Sequence, residues 1–320
     1  MSPREVLAAL ASGEPLSGAA LARRLGVSRA AIWKQVEALR ARGLPIDARA
    51  GSGYRLAWPV QLLDAGRLRA DLAPLSLGGL DVHWELDSTS SEVQRGLPTA
   101  ADLGMVLAES QSAARGRRGR NWLSPPASNL YLSCVKRFDA GFAALSGLSL
   151  AVGVAVARAL QDLGIAGAGL KWPNDVLLGD AKLAGILVEL SGEYQGPCAA
   201  VVGIGLNVRM PPALRAQAGQ PVADLADATG GAPPDRHAVA VRLITRLAEC
   251  LRQFEQSGFA GFAADFARFD VLRGKPLRIS GMHGELQGVG AGIDARGALR
   301  VRTAGGDVSV DSADVTVRRQ

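Results

Sequence analysis

Arg115-Gly116-Arg117-Arg118-Gly119-Arg120 places four guanidinium groups and two glycines in six residues. Such a hexapeptide cannot pack in a core. Guanidinium groups form charge-assisted, often bidentate hydrogen bonds to phosphate or carboxylate. The glycines leave the backbone free to close, and an anion would order a segment whose like charges repel. A generic basic patch for nucleic acid fits the six residues equally well, so both readings stay open at this point. Trp122 follows directly, an aromatic face able to stack a purine. Upstream, Asp87-Ser88-Thr89-Ser90-Ser91-Glu92 contains a Thr89–Glu92 capping box, a helix start flanked by hydroxyls that suits carbonyl or carboxylate recognition and equally reads as an ordinary cap. Downstream, Lys171-Trp172-Pro173-Asn174-Asp175 is a turn dense in polar groups. Lys182 leads into the run Leu183–Glu189, at the mouth of a buried strand, with its stem in apolar surroundings and its charge aimed at the cleft; an ordinary solvated surface lysine is the alternative reading.

The elements that must position these groups are legible from caps and periodicity. Ser2-Pro3-Arg4-Glu5 opens a first helix with a capping box and Pro at its first position. Ser17 opens a second helix that Gly26 stops. Ser28 caps a third, which runs to about Arg42, with Ile32, Val36 and Leu39 as its core-facing stripe. The three-residue link Gly26-Val27-Ser28 has helix-turn-helix spacing. Two short alternating segments around Gly51-Ser52-Gly53 then read as a hairpin, so residues 1–60 have a winged-helix pattern. They also hold nine Lys/Arg against four Asp/Glu, most of the net charge of +6. On the DNA reading, Ser28, Arg29, Ala30 and Lys34 face the major groove, while Arg49 and Arg55 meet phosphates. The alternative is a small helical domain for protein contacts. Trp33 is expected beneath the helix.

From about Asp64 to Phe269, helical patterns alternate with short apolar runs. Gly185–Leu190 and Ala199–Gly205 read as strands buried on both faces, giving a mixed sheet with packed helices. Within 271–317, four alternating segments begin at Leu277, Leu299, Val308 and Val315, with turn glycines between them. Three cysteines far apart, Cys134, Cys198 and Cys250, argue against a disulfide framework or a zinc site. Residues 140–157 carry no charge, yet are mostly Ala, Gly, Ser and Val. A buried core helix is the reading there, not a bilayer span. No signal peptide opens the chain, and a cytoplasmic protein without membrane association is expected.

In this order, these segments resemble the bifunctional biotin–protein ligases that also act as biotin-operon repressors. The resemblance spans nearly the whole chain, through Ser124-Pro125, Asn129–Ser133 and Gly203-Ile204-Gly205-Leu206-Asn207. It implies an α+β protein: a winged helix-turn-helix at 1–60, a central mixed α/β ligase domain of class II synthetase-like fold at 64–270, and an SH3-like barrel at 271–320. It implies biotin and ATP as substrates, Mg2+ with the ATP, and biotinyl-5′-AMP as intermediate. The biotinyl group then passes to a lysine of the biotin carboxyl carrier protein of acetyl-CoA carboxylase. Operator DNA and a ligand-linked homodimer are implied partners. By the same resemblance Ser88, Thr89, Ser90, Gln111, Arg115, Gly116, Arg117, Lys182 and Gly185 contact biotin. Arg118, Arg120, Trp122, Lys171, Asn174, Asp175 and Asn207 belong to the nucleotide side. Lys182, Arg117 and Arg115 serve the chemistry, and no metal ligands are implied in the chain.

The chain departs from the family pattern at Ala114 and Ala127, where glycine is common, and at Ser90, where asparagine is frequent. If position 114 needs φ > 0, alanine costs roughly 1–2 kcal/mol there. Three alternatives stay open on sequence: a ligand-sensing regulator without turnover, a ligase whose winged helix does not bind DNA, and a lipoate ligase.

Overall fold

The computed structural model describes the chain except residues 50–52, 282, 283, 312–315 and 320. The N-terminal unit comprises α1 (Pro3–Leu10), α2 (Gly18–Leu25), α3 (Arg29–Ala41), β1 (Ile46–Arg49) and β2 (Gly53–Leu56). The caps read from sequence are in place. Ser17 Oγ accepts from Ala20 N, Ser28 Oγ accepts from Ala31 N, and Gly26 ends α2 with φ 66°. β1 and β2 pair antiparallel, the wing expected after a helix-turn-helix. Ile32, Val36 and Leu39 are fully buried, in a core that includes Val6, Leu10 and Leu21. Trp33 corrects the expectation for it: the indole is 59% exposed. One residue past Ile32 on a 3.6-residue helix lies about 100° from the buried stripe, so the side chain points to the face that carries Arg29, Ala30 and Lys34.

The central unit contains α4 (Ala65–Leu72), β3 (Leu80–Leu86), α5 (Thr89–Gly96), β4 (Met105–Gln111), β5 (Leu130–Phe138) and α6 (Leu148–Asp162). It continues with β6 (Ala168–Lys171), β7 (Asp175–Leu178), β8 (Ala181–Gly192), β9 (Cys198–Leu206), α7 (Pro212–Gln217), α8 (Leu225–Ala228), α9 (Arg236–Ser257) and α10 (Ala263–Phe269). Seven strands form one sheet in the order β3-β4-β5-β9-β8-β7-β6, with β3–β4 parallel and the other neighbours antiparallel. α6, α9 and α10 share one apolar core with the sheet, and α5 has its own smaller core with Val135, Ala199 and Val201. The helical stretch 142–162 is long and apolar enough on composition to cross a bilayer, but 67% of its most apolar window is buried. It is the core helix expected from its small residues. β9 is buried on both faces, whereas β8 is so only near Ala184; from Leu187 onward its side chains are half-buried and Leu190 is exposed.

The C-terminal strands β10 (Pro276–Gly281), β11 (Gly284–Ile293), β12 (Leu299–Thr303), β13 (Gly306–Val310) and β14 (Thr316–Arg319) form an antiparallel SH3-like sheet in the order β13-β12-β11-β10-β14. Leu277, Ile279, Leu299, Val301 and Val317 join the core of the central unit. The N-terminal core is separate from that large core, and Ala127 and Trp84 of the central unit pack against it.

Candidate active site

The alternation of side chains along β5 and β9 builds the floor of a cavity. Beneath α5, Val93 packs on Val135, Ala199 and Val201. Two residues further along the same face the side chains shrink to Ser133 and Gly203, and then to Gly205. A Cβ on Gly203 would lie 2.6 Å from Ser90 Oγ, and one on Gly205 would lie 2.4 Å from Trp122 Cε2. On the next strand, a Cβ on Gly185 would meet Trp122 Cζ3 at 2.8 Å. These glycines are required by volume: the indole of Trp122 lies against the backbone of β8 and β9. The cavity above this floor has a volume of about 780 Å³, within the usual range for a cofactor-sized ligand.

One end of the cavity is a hydroxyl and amide cluster. Ser88, not Thr89, is the N-cap of α5, its Oγ accepting from Ser91 N at 3.5 Å. Glu92 pairs with Arg95 in place of closing a capping box. Thr89 is thereby released to the interior. Its backbone N–H donates to Gln111 Oε1 at 2.9 Å, and its hydroxyl lies 2.8 Å from Ser133 Oγ. Ser90 Oγ is 3.0 Å from the same Ser133 oxygen, and Gln111 Nε2 donates to Ser124 Oγ at 3.1 Å. Asp87 anchors the start of this helix. The Arg95 guanidinium, and after it the Ser88 N–H, hold its carboxyl well below the usual carboxylate range.

The other end is cationic. Gly116 N donates to Arg120 O at 2.7 Å, closing the arginine loop on itself, and Arg118 turns it with φ 58°. Arg115 points along α5, with Nη2 3.3 Å from Ser91 Oγ and 3.4 Å from Glu189 Oε1. Arg117 Nη1 donates to Asn174 Oδ1 at 3.5 Å. Asn174 is itself fixed through Nδ2 to Ile186 O at 2.8 Å. Lys182 Nζ forms an ion pair with Asp175 Oδ1 and lies 5.4 Å from the Trp122 ring centre. Its backbone is held between the Pro221 carbonyl and the Ala223 N–H. The Trp172–Pro173 peptide is cis, and Trp172 Nε1 donates to Gly297 O at 2.9 Å, tying this turn to the C-terminal sheet.

The structure brings together in this one cavity Ser88, Thr89, Ser90 and Gln111 with Arg115, Gly116, Arg117, Arg118 and Arg120. Trp122, Lys171, Asn174, Asp175, Lys182 and Gly185 line it as well. Asn207 is placed elsewhere: buried and absent from the lining, it donates from Nδ2 to Lys182 O at 3.3 Å and to Ala223 O at 3.0 Å. It positions the lysine and does not face the cavity. Ala114 is not in the left-handed region, so the strain considered for it does not arise; Ala127 is, at φ 51°. Sequence reasoning missed Ser133, the segment Ala218-Gly219-Gln220-Pro221 and Val317, all of which face or support the cavity. Ser133 stood within a recognised strand, but its role depends on the α5 contact. The other two carry no chemical signal.

In the N-terminal unit Arg29, Ala30 and Lys34 are exposed. Ser28 Oγ is engaged as the helix cap. Arg55 Nε donates to Gly13 O at 3.0 Å, so part of its guanidinium holds the wing to the α1–α2 connection. The Arg49 side chain lies outside the described residues.

Residues 4–55 match the HTH domain family, 85–207 the biotin/lipoate A/B protein ligase family, and 274–318 the biotin protein ligase C terminal domain. The chain is 38% identical to the bifunctional ligase/repressor BirA of Salmonella typhimurium, over 98% of each chain. It is 35% identical to the biotin–[acetyl-CoA-carboxylase] ligase of Mycobacterium tuberculosis, over 79% of this chain and 95% of that one. Among solved structures, the biotin protein ligase of Aquifex aeolicus in complex with biotin and ATP superposes with a TM-score of 0.65 at 27% identity, covering 76% of this chain and 99% of that one. With the cavity, the wing and the small β unit all in their places along an end-to-end match, the chain belongs to the bifunctional ligase/repressor BirA family.

Proposed function

We infer that the chain is a biotin–protein ligase that also acts as a biotin-responsive transcriptional repressor. In the first step a carboxylate oxygen of biotin bonds to the α-phosphorus of ATP, the bond to the β-phosphate oxygen breaks, and pyrophosphate leaves. In the second, a lysine amine of the biotin carboxyl carrier protein of acetyl-CoA carboxylase bonds to the acyl carbon of biotinyl-5′-AMP. AMP leaves with the electron pair, and the amine loses a proton. The observation that carries this reading is the polarity of one cavity, with neutral hydroxyls and an amide at one end and Lys182 with the arginine loop at the other. A cyclic urea suits the first end. Two anions brought together suit the second, where fixed positive charge opposes their repulsion.

Ser88, Thr89, Ser90 and Gln111 then bind the biotin ring, and Arg115, Gly116 and Arg117 close over it. Gly185 gives way beneath it. Lys182 contacts the reacting carboxylate and the α-phosphate. Trp122 flanks the adenine, while Arg118, Arg120, Lys171, Asn174 and Asp175 line the phosphate side. Asn207 supports Lys182 from behind. A loop that orders over the anhydride keeps water from it until the carrier arrives. Magnesium enters with the ATP phosphates, which supply oxygen ligands for it.

The winged helix supports operator binding through α3, and a ligand-linked homodimer in the cytoplasm completes the proposal. The test is incubation of the purified chain with biotin, MgATP and an apo carrier domain, run beside a gel shift on the upstream region of the organism's biotin genes. Biotinylated carrier and a biotin-enhanced, salt-sensitive shift are expected. Absence of biotinylated carrier reduces the chain to a sensor, preference for lipoate moves it to the neighbouring activity, and absence of the shift removes the repressor role.

A further inference from the structure

The C-terminal end of α3, opposite the end expected to read DNA, is held by two separate parts of the central unit. Arg42 caps the helix. Its Nη1 lies 2.9 Å from Glu85 Oε2, its Nη2 donates to Ser110 Oγ, and its guanidinium sits over the Trp84 ring at 5.8 Å from the centre. Ser110 Oγ also contacts Trp84 O at 3.3 Å. Glu85 and Ser110 face each other across β3 and β4, and Leu86 and Gln111 are the next pair. On β4 the residue after Ser110 is therefore the glutamine that holds Thr89. On β3 the chain runs from Glu85 through Asp87 into the Ser88 cap. The second hold is at Gly43, whose φ is +90°. A Cβ there would lie 2.4 Å from Leu214 Cδ1, so the chain leaving α3 rests on α7. α7 leads directly into residues 218–221, which line the cavity, and Pro221 O accepts the backbone N–H of Lys182 at 2.9 Å. One hold thus enters the cavity at its hydroxyl end and the other at its lysine end.

We propose that Arg42 is a positioning residue that couples occupancy of the cavity to the DNA-reading helix within a single chain. A ligand that fixes Gln111, the start of α5 and residues 218–221 also fixes the two supports of α3, and the helix loses motion with them. The coupling acts in both directions, since a duplex that holds α3 must stabilise the filled cavity by the same factor. Arginine is required by geometry. An exposed ion pair to Glu85 alone contributes little, whereas a planar fork with five donors engages a carboxylate, a hydroxyl and an aromatic face together. This inference rests on the ligase reading above, because it takes biotinyl-5′-AMP as the ligand.

Hydrogen exchange of the full chain with and without biotin and MgATP tests it. Amides of 35–42 are expected to slow on ligand addition by about fivefold or more, the lower end of ordinary coupling factors. In Arg42→Ala that ligand-dependent change is lost, and in Arg42→Lys it is partly kept, while pyrophosphate release by both stays within about twofold of the parent chain. The readout is the difference made by ligand, which a merely structural role for Arg42 does not remove. Ser110→Ala, which takes away one partner and leaves the arginine, is expected to shrink the change and serves if Arg42→Ala does not fold. An equal ligand effect in parent and variant, or none in a parent chain that releases pyrophosphate, overturns the coupling. A parent chain that releases no pyrophosphate overturns the ligase reading, and this proposal with it.

Discussion

Lys182 Nζ stands 2.7 Å from Asp175 Oδ1. The contact is a close, charge-assisted ion pair. Register explains how the two meet. Asp175 opens β7, Lys182 lies near the start of the antiparallel β8, and a bulge between Val176 and Leu177 shifts the pairing there. The carboxylate holds the ammonium over the cavity floor without enclosing it, and an anionic ligand can compete for the same charge. Lys182→Ala is therefore expected to lower the rate of adenylation by about two to three orders of magnitude, the loss typical of one preorganised donor to developing charge. Pyrophosphate release at saturating biotin and ATP measures it. Near-normal turnover would take Lys182 out of the mechanism.

Gly205 and Trp122 make a second prediction, because the indole occupies the space a side chain at 205 would need. Gly205→Ala puts a methyl 2.4 Å from Trp122 Cε2 and 2.6 Å from its Nε1, so the ring must move. Trp122 Nε1 is buried and has no hydrogen-bond partner among the described residues, so the contact of the ring with the Lys182 ammonium, and no hydrogen bond, opposes that shift. The expected result is a KM for ATP raised about tenfold or more, the equivalent of losing one aromatic stacking contact of about 1–3 kcal/mol, with the KM for biotin changed much less. Equal changes in both constants would mean that Trp122 does not serve the nucleotide side.

The site was legible in the sequence where chemistry is local, and illegible where it depends on distant chain segments meeting. The arginine loop, the hydroxyl-rich start of α5 and the turn at 171–175 advertise themselves by composition. Residues 218–221 have nothing comparable: they matter because Pro221 O holds Lys182 N. β11 was missed, although it is the longest strand of the small sheet, because Gly284, Gly288, Gly290 and Gly292 interrupt its alternation. Gly290 has a packing reason, since a Cβ there would lie 2.2 Å from Leu272 O. Trp33 was legible and misread. The stripe Ile32, Val36 and Leu39 already defines the buried face, and position 33 lies off it.

Exposure of Trp33 beside Arg29 and Lys34 separates two ways of holding a duplex. A neutral indole on the outer face of α3 contributes apolar contact and carries no charge, whereas Lys34 displaces counterions. Trp33→Ala is expected to weaken operator binding by about tenfold, or about 1.4 kcal/mol, with the dependence on salt unchanged. Lys34→Ala is expected to reduce the slope of log affinity against log salt concentration by about one. Both variants should keep the melting temperature of the parent chain, because neither side chain is in the core. Fluorescence-anisotropy titrations at several salt concentrations check the pair. A salt slope altered by Trp33→Ala and not by Lys34→Ala would reverse the assignment.

Glu109 and Arg236 form a buried ion pair at 2.9 Å, with side chains 3% and 5% exposed. The pair fastens the segment between the winged helix and the central sheet. Glu109 Oε1 accepts from Leu63 N at 2.5 Å, and Arg236 donates to the carbonyls of Gln61 and Asn129. Removing one partner leaves a charge out of water without compensation, at a typical cost of 3–5 kcal/mol, whereas replacing both by apolar groups is often neutral or better. Glu109→Ala is thus expected to destabilise the chain by about 3–5 kcal/mol. The double variant Glu109→Leu with Arg236→Met recovers most of that loss but not the hold on residues 61–63. Urea unfolding measures the first effect, and protease cleavage within 57–63 in the folded double variant measures the second. A double variant as unstable as Glu109→Ala would show that the hydrogen bonds to the Leu63 N–H and the Gln61 carbonyl, and not the ion pair, carry the stability.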